Sequence, residues 1–79
     1  MGNVLKYKDN FIAIGLKISY FRRLRGLSQE QLAERAGISM GFLSQIEAPG
    51  MAIGISLSTL FAIAKVLEVP VHKFLEFDI

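Results

Sequence analysis

Residues 29–47 read QEQLAERAGISMGFLSQIE, and the placement of small and apolar residues in this stretch decides the fold. Ser28 can cap a helix, with Gln31 three residues on to complete a capping box, and Leu32, Ala33 and Ala36 form that helix's small inner face. Gly37 breaks the pattern where the chain must turn with positive φ, which glycine tolerates best. Ser39 then offers a new N-cap, and Met40 to Glu47 follow as a short helix. If the two helices cross steeply over this turn, a side chain larger than Ala33 would push them apart. Leu43 and Ile46 would anchor the second helix of the pair to the core. Together these features describe a helix-turn-helix.

Working outward, Phe11, Ile14, Ile18 and Phe21 recur at three- and four-residue steps, the period of a helix with one buried face, and Gly26 ends it. The stretch APGMAIGIS, residues 48–56, holds one proline and two glycines and reads as a loop. Ser56 can cap a fourth helix, LSTLFAIAKVLE, and Pro70 suits the first turn of a fifth in VPVHKFLEF. No strand alternation persists, so the class is all-α. The expected division is an N-terminal extension, 1–10, and one domain, 11–79.

A chain of 79 residues is about one domain with a modest core. With no cysteine, neither disulfides nor a Cys-based zinc site can reinforce it, and His72 alone makes no metal cluster. The apolar fraction is 52% and the mean hydropathy +0.43, yet no apolar run approaches the roughly 18 residues a membrane span requires. Residues 1–10 lack the apolar core of a secretory signal, so a cytoplasmic setting is expected. The net charge is only +2, but Lys17, Arg22, Arg23 and Arg25 crowd one segment, whereas Glu68, Glu76 and Asp78 lie near the C-terminus. The molecule is expected to have a basic end and an acidic end.

Across IGLKISYFRRLRGLSQEQLAERAGIS (14–39), FLSQIE (42–47) and SLSTLFAIAKVLEVP (56–70) the chain resembles the Cro/lambda-repressor-like helix-turn-helix family, with small, glycine and apolar positions in register across several helices. Glu68 stands where that family usually has glycine between helices four and five. The resemblance implies a compact five-helix domain that inserts helix three into the DNA major groove, commonly as a dimer on a two-fold-related site, as in small phage repressors and restriction-modification controllers.

At about 100° per residue, helix three puts Phe42, Leu43 and Ile46 on one side and Met40, Gly41, Ser44 and Gln45 on the other. That second face is the candidate reading head. Gln45 is its strongest base reader, because an amide can pair bidentately with adenine N6 and N7. Ser44 can bond a base or a phosphate, Met40 can meet a thymine methyl, and Gly41 permits close approach. Gln29 lies in the first turn of helix two, where free N–H groups and the helix dipole favour an anion, and the resemblance gives it a phosphate contact. Arg23, Arg25 and Lys17 can add charge to the phosphate grip, as can Ser39 and Phe42 at the start of helix three. The resemblance also implies that Arg22 and Glu47 pair by a salt bridge that positions the reader.

The apolar excess has two readings. Ile12, Leu16 and Tyr20 form a stripe beside the core face of helix one, and Val71, Phe74, Leu75 and Phe77 crowd the C-terminal helix. Ordinary packing, with cover from Val4, Leu5 and Tyr7, accounts for part of this. A homodimer through Val71, Phe74, Leu75 and Phe77, with help from Met51, Ile53 and Ile55, accounts for the rest. One helix reads few base pairs, whereas two copies about 34 Å apart meet successive major grooves.

The expected function is therefore a sequence-specific, dimeric transcriptional regulator of double-stranded DNA, with no cofactor, metal, membrane or small-molecule ligand. The alternative is a protein-interaction module on the same scaffold, favoured by the low net charge and the uncharged reading head. An enzyme is excluded from the leading readings, since no acid pair, phosphate loop or nucleophile elbow is present in the sequence.

Overall fold

A computed structural model describes residues 6–77. Among the described residues four α-helices follow one another: α1 (Lys8–Leu24), α2 (Gln29–Ala36), α3 (Met40–Glu47) and α4 (Leu57–Leu67), and a 3-10 turn covers Val71–Phe74. No strand occurs among the described residues. Val4 and Leu5, expected as core cover, and Asp78 lie outside them.

The local signals act where they were expected. Ser28, Ser39 and Ser56 cap α2, α3 and α4, each hydroxyl accepting the N–H three residues on. Gln31 Oε1 accepts the Ser28 N–H at 2.9 Å and completes the capping box. Helix α1 begins at Lys8, three residues earlier than the apolar period implied. Polar residues can extend a helix beyond its buried face.

Three helices end alike. Gly26 and Gly37 adopt φ of +73° and +75°. In each case, as at Glu68 (φ +58°), the next N–H reaches back to a carbonyl five residues earlier: Leu27 to Arg22, Ile38 to Ala33 and Val69 to Ala64. A glutamate in the left-handed region carries a Cβ penalty that glycine avoids. Glu68→Gly is therefore expected to stabilise the domain by about 1 kcal/mol, raising the melting temperature by roughly 4–8 °C in a thermal melt. An unchanged or lower Tm would show that the Glu68 side chain has compensating interactions.

The core joins Ile14 and Ile18 of α1, Leu32 and Ala33 of α2, Leu43 and Ile46 of α3, and Leu60, Ile63, Ala64 and Leu67 of α4, with Val69 and Phe74. Phe74 is fully buried and stands edge-on to Phe21, with ring centroids 5.4 Å apart. Loop residues Ile53 and Ile55 also lean on the core, so only Met51 of the three loop residues is substantially exposed, at 43%.

The expected fifth helix is a single 3-10 turn, closed by Lys73 N–H to Pro70 O and Leu75 N–H to His72 O. Pro70 enters it extended (ψ 140°), and Phe74 is its only fully anchored side chain, since Leu75, Glu76 and Phe77 are exposed. One buried anchor gives no packing reward for a longer helix. Phe74 must also be removed from the expected dimer surface, because its ring completes this chain's own core.

Candidate nucleic-acid interface

The α2–α3 pair is held from within. Ala33 is 2% exposed and its carbonyl accepts the Ile38 N–H that closes α2. Leu43 and Ile46, at 0% and 3% exposure, fix α3 to the core. The opposite face of α3 is open: Met40, Gly41, Ser44 and Gln45 are all exposed. The structure thus brings the four expected reading residues onto one accessible surface of a helix whose other side cannot rotate away from the core.

Beneath this surface lies a buried polar knot. Arg22 and Glu47, 8% and 7% exposed, form a two-pronged pair: Nε donates to Oε2 and Nη2 to Oε1, each at 2.9 Å. Arg22 Nη1 also donates to Leu27 O at 2.8 Å, and Gln29 Nε2 donates to Glu47 Oε1 at 3.0 Å. The pair therefore ties α1 to the end of α3 and to the entry of α2.

The cations differ in placement. Arg23 is exposed, has no ion pair among the described residues and shares a surface groove with Tyr20, Glu47 and Pro49. It thus sits beside the same knot as Gln29. Arg25 is employed elsewhere: its Nε donates to Leu67 O at 2.7 Å and its Nη2 to Glu68 O at 3.3 Å, capping the C-terminus of α4. Lys17 shares a groove with Tyr20, Lys73 and Glu76. It follows Gly15 by two residues, about 200° round the helix from the point where α1 meets α3. Neither Arg25 nor Lys17 is placed for the phosphate role the charge cluster implied.

At the start of α3, Ser39 Oγ accepts the Phe42 N–H at 3.0 Å, leaving its own O–H free to donate. Phe42 has spent its N–H in this cap and rests its ring against the core. It has no donor to offer a phosphate and leaves the phosphate set.

One residue that shapes the site was not singled out from the sequence. A Cβ on Gly15 would fall 2.0 Å from the carbonyl oxygen of Ile46, so α1 and α3 cross backbone to backbone there. The available signal was a lone glycine inside an amphipathic helical pattern, which marks a close approach. The structure also exposes Leu57 (60%) and Phe61 (53%), one turn apart on α4, and Leu16 (48%), Tyr20 (61%) and Leu24 (61%) along α1. No metal-ligating cluster occurs among the described residues, and no helix there is long and apolar enough to cross a membrane.

Comparison with known proteins agrees with this geometry. A helix-turn-helix family model matches residues 18–74. The HTH-type transcriptional regulator SinR of Bacillus subtilis (strain 168) is 36% identical over 63 residues, which cover 80% of this chain and 56% of SinR. The chain therefore spans about half the length of the curated relatives it matches. A crystal structure of SinR, described as the master regulator for biofilm formation, in complex with DNA superposes with a TM-score of 0.74 at 36% identity, covering 80% of this chain and 98% of that one. The restriction-modification controller protein C.AhdI of Aeromonas hydrophila shares the fold, with a TM-score of 0.76 at 23% identity over 84% of this chain and 97% of that one. The capped α2–α3 pair, its glycine turn and the matched span together make this chain a member of the Cro/lambda-repressor-like helix-turn-helix family.

Proposed function

We propose that this protein is a sequence-specific, DNA-binding transcriptional regulator that acts as a homodimer on an inverted-repeat operator, with α3 in the major groove of each half-site. The observation that carries this reading is the exposed Met40, Gly41, Ser44 and Gln45 face on a helix fixed to the core by Leu43 and Ile46. A relative at 36% identity, matched over 98% of its solved chain, has been solved in complex with DNA. Gln45 is the main base reader, Ser44 and Met40 assist, and Gly41 admits the groove wall. Gln29, Arg23 and Ser39 grip the phosphates. The second copy docks through Leu75, Phe77 and the half-buried Val71, since Phe74 serves the core.

Selection of bound duplexes from a random library at moderate salt tests this directly. Enrichment of an inverted repeat with half-site centres about 34 Å apart is the expected result. A well-folded protein that retains no particular sequence would sink the reading and favour a protein-binding role for the same scaffold.

On the selected operator, Gln45→Ala is expected to cost about 1–3 kcal/mol and to relax preference at one base pair per half-site. Gln29→Ala should weaken all sequences alike and leave the salt slope unchanged, since a neutral amide displaces no counterion from the DNA. Anisotropy titrations against the operator and its single-base-pair variants distinguish the two. A uniform loss for Gln45→Ala would remove it from base reading.

A further inference from the structure

We infer that Glu47, which is buried and outside the reading face, is a positioning residue for the phosphate grip: its carboxylate holds the Gln29 amide so that the remaining N–H is presented to the DNA backbone. This inference rests on the phosphate role proposed for Gln29.

Glu47 Oε1 accepts two hydrogen bonds, from Arg22 Nη2 at 2.9 Å and from Gln29 Nε2 at 3.0 Å, while Oε2 accepts Arg22 Nε at 2.9 Å. The amide nitrogen of Gln29 has two hydrogens in one plane. Fixing one on a charged oxygen fixes the direction of the other. A free glutamine would surrender its side-chain rotations when it met a phosphate; here that ordering is already complete in the folded protein, which is worth about threefold to tenfold in affinity.

Arg22 makes the arrangement compatible with DNA. Its guanidinium covers both oxygens of Glu47, so the carboxylate beside the grip is neutralised before a phosphate arrives. The third Arg22 contact, to Leu27 O at 2.8 Å, fixes the residue just before the Ser28 cap of α2. One ion pair thus holds the chain at Leu27, two residues before Gln29, and through Glu47 the Gln29 side chain. No buried polar side-chain atom among the described residues lacks a partner, so the knot is saturated on its inner side.

The test is a double-mutant cycle on the selected operator. Arg22→Met with Glu47→Met replaces the whole ion pair by apolar side chains and avoids leaving a lone buried charge; binding is measured below the melting transition of every variant. In the wild-type background Gln29→Ala should weaken binding about tenfold at an unchanged salt slope, the mark of a lost neutral donor. In the swapped-pair background its cost should fall at least threefold, whereas Gln45→Ala should keep its full effect in both. Equal cost of Gln29→Ala in the two backgrounds would overturn the positioning role. So would loss of the Gln45 effect together with that of Gln29, which would mean that α3 itself had moved. If Gln29→Ala costs nothing in the wild type, the phosphate reading of Gln29 fails, and the positioning role with it. Should the swapped pair not fold, the wild-type protein carries the test: without DNA, the Gln29 side-chain amide should show order parameters near those of rigid backbone, and a mobile amide would overturn the role.

Discussion

Gly15→Ala is expected to lower the melting temperature by roughly 12–24 °C, or to leave the domain unfolded, although alanine is the better helix former. The added methyl would meet the Ile46 carbonyl oxygen at 2.0 Å, and that obstacle is backbone, not the tip of a flexible side chain. Relief requires α1 and α3 to separate along the crossing that also holds Ile14, Ile18, Leu43 and Ile46. Overpacking of this kind costs about 3 kcal/mol, and a domain of this size loses some 4–8 °C for each of them. Gly41→Ala supplies the control, since a Cβ there meets nothing within 4 Å. It should stabilise α3 by about 0.5–1 kcal/mol. If Gly15→Ala melts within two or three degrees of the wild type, by about the scatter of a melt, the crossing is looser than described.

Removing one partner of the Arg22–Glu47 pair should be comparably severe. Arg22→Ala leaves a carboxylate that is 7% exposed without its two-pronged partner, at a cost of about 3–5 kcal/mol. The whole domain is worth roughly 4–12 kcal/mol at 0.05–0.15 kcal/mol per residue over its 79 residues, so much of the folded population is at stake. Urea denaturation of Arg22→Ala against the wild type measures the loss. A difference below about 1 kcal/mol would be that of a solvated surface pair. DNA-binding assays on this variant report folding before they report recognition, which is why the positioning test replaces both partners together.

The elements that punctuate the chain were legible because their causes are local. A serine accepting an N–H three residues on, a glycine at positive φ and an apolar period of three to four are properties of a few neighbouring residues. The exposed face of α3 was legible for the same reason: once Leu43 and Ile46 are buried, helical geometry places Met40, Gly41, Ser44 and Gln45 opposite. The fifth helix was misjudged because Pro70 marks the start of a turn but says nothing of how many later residues find a buried site.

Side-chain employment was the part the residue types could not declare. Arg22, Arg23 and Arg25 are the same chemistry within four positions, yet one is buried on Glu47, one is exposed beside the Gln29 knot, and one caps α4 through Leu67 and Glu68. Phe74 and Leu75 are adjacent apolar residues, one in the core and one at the surface. From its sequence alone this protein has its helices, caps, turns and outward face of α3, since each follows from contacts within about five residues. Only the tertiary structure decided that α1 and α3 touch at Gly15, that Glu47 holds both Arg22 and Gln29, and that Arg25 caps α4. Those outcomes join residues 18 to 43 positions apart, and they are set by how the helices cross, which no local pattern encodes.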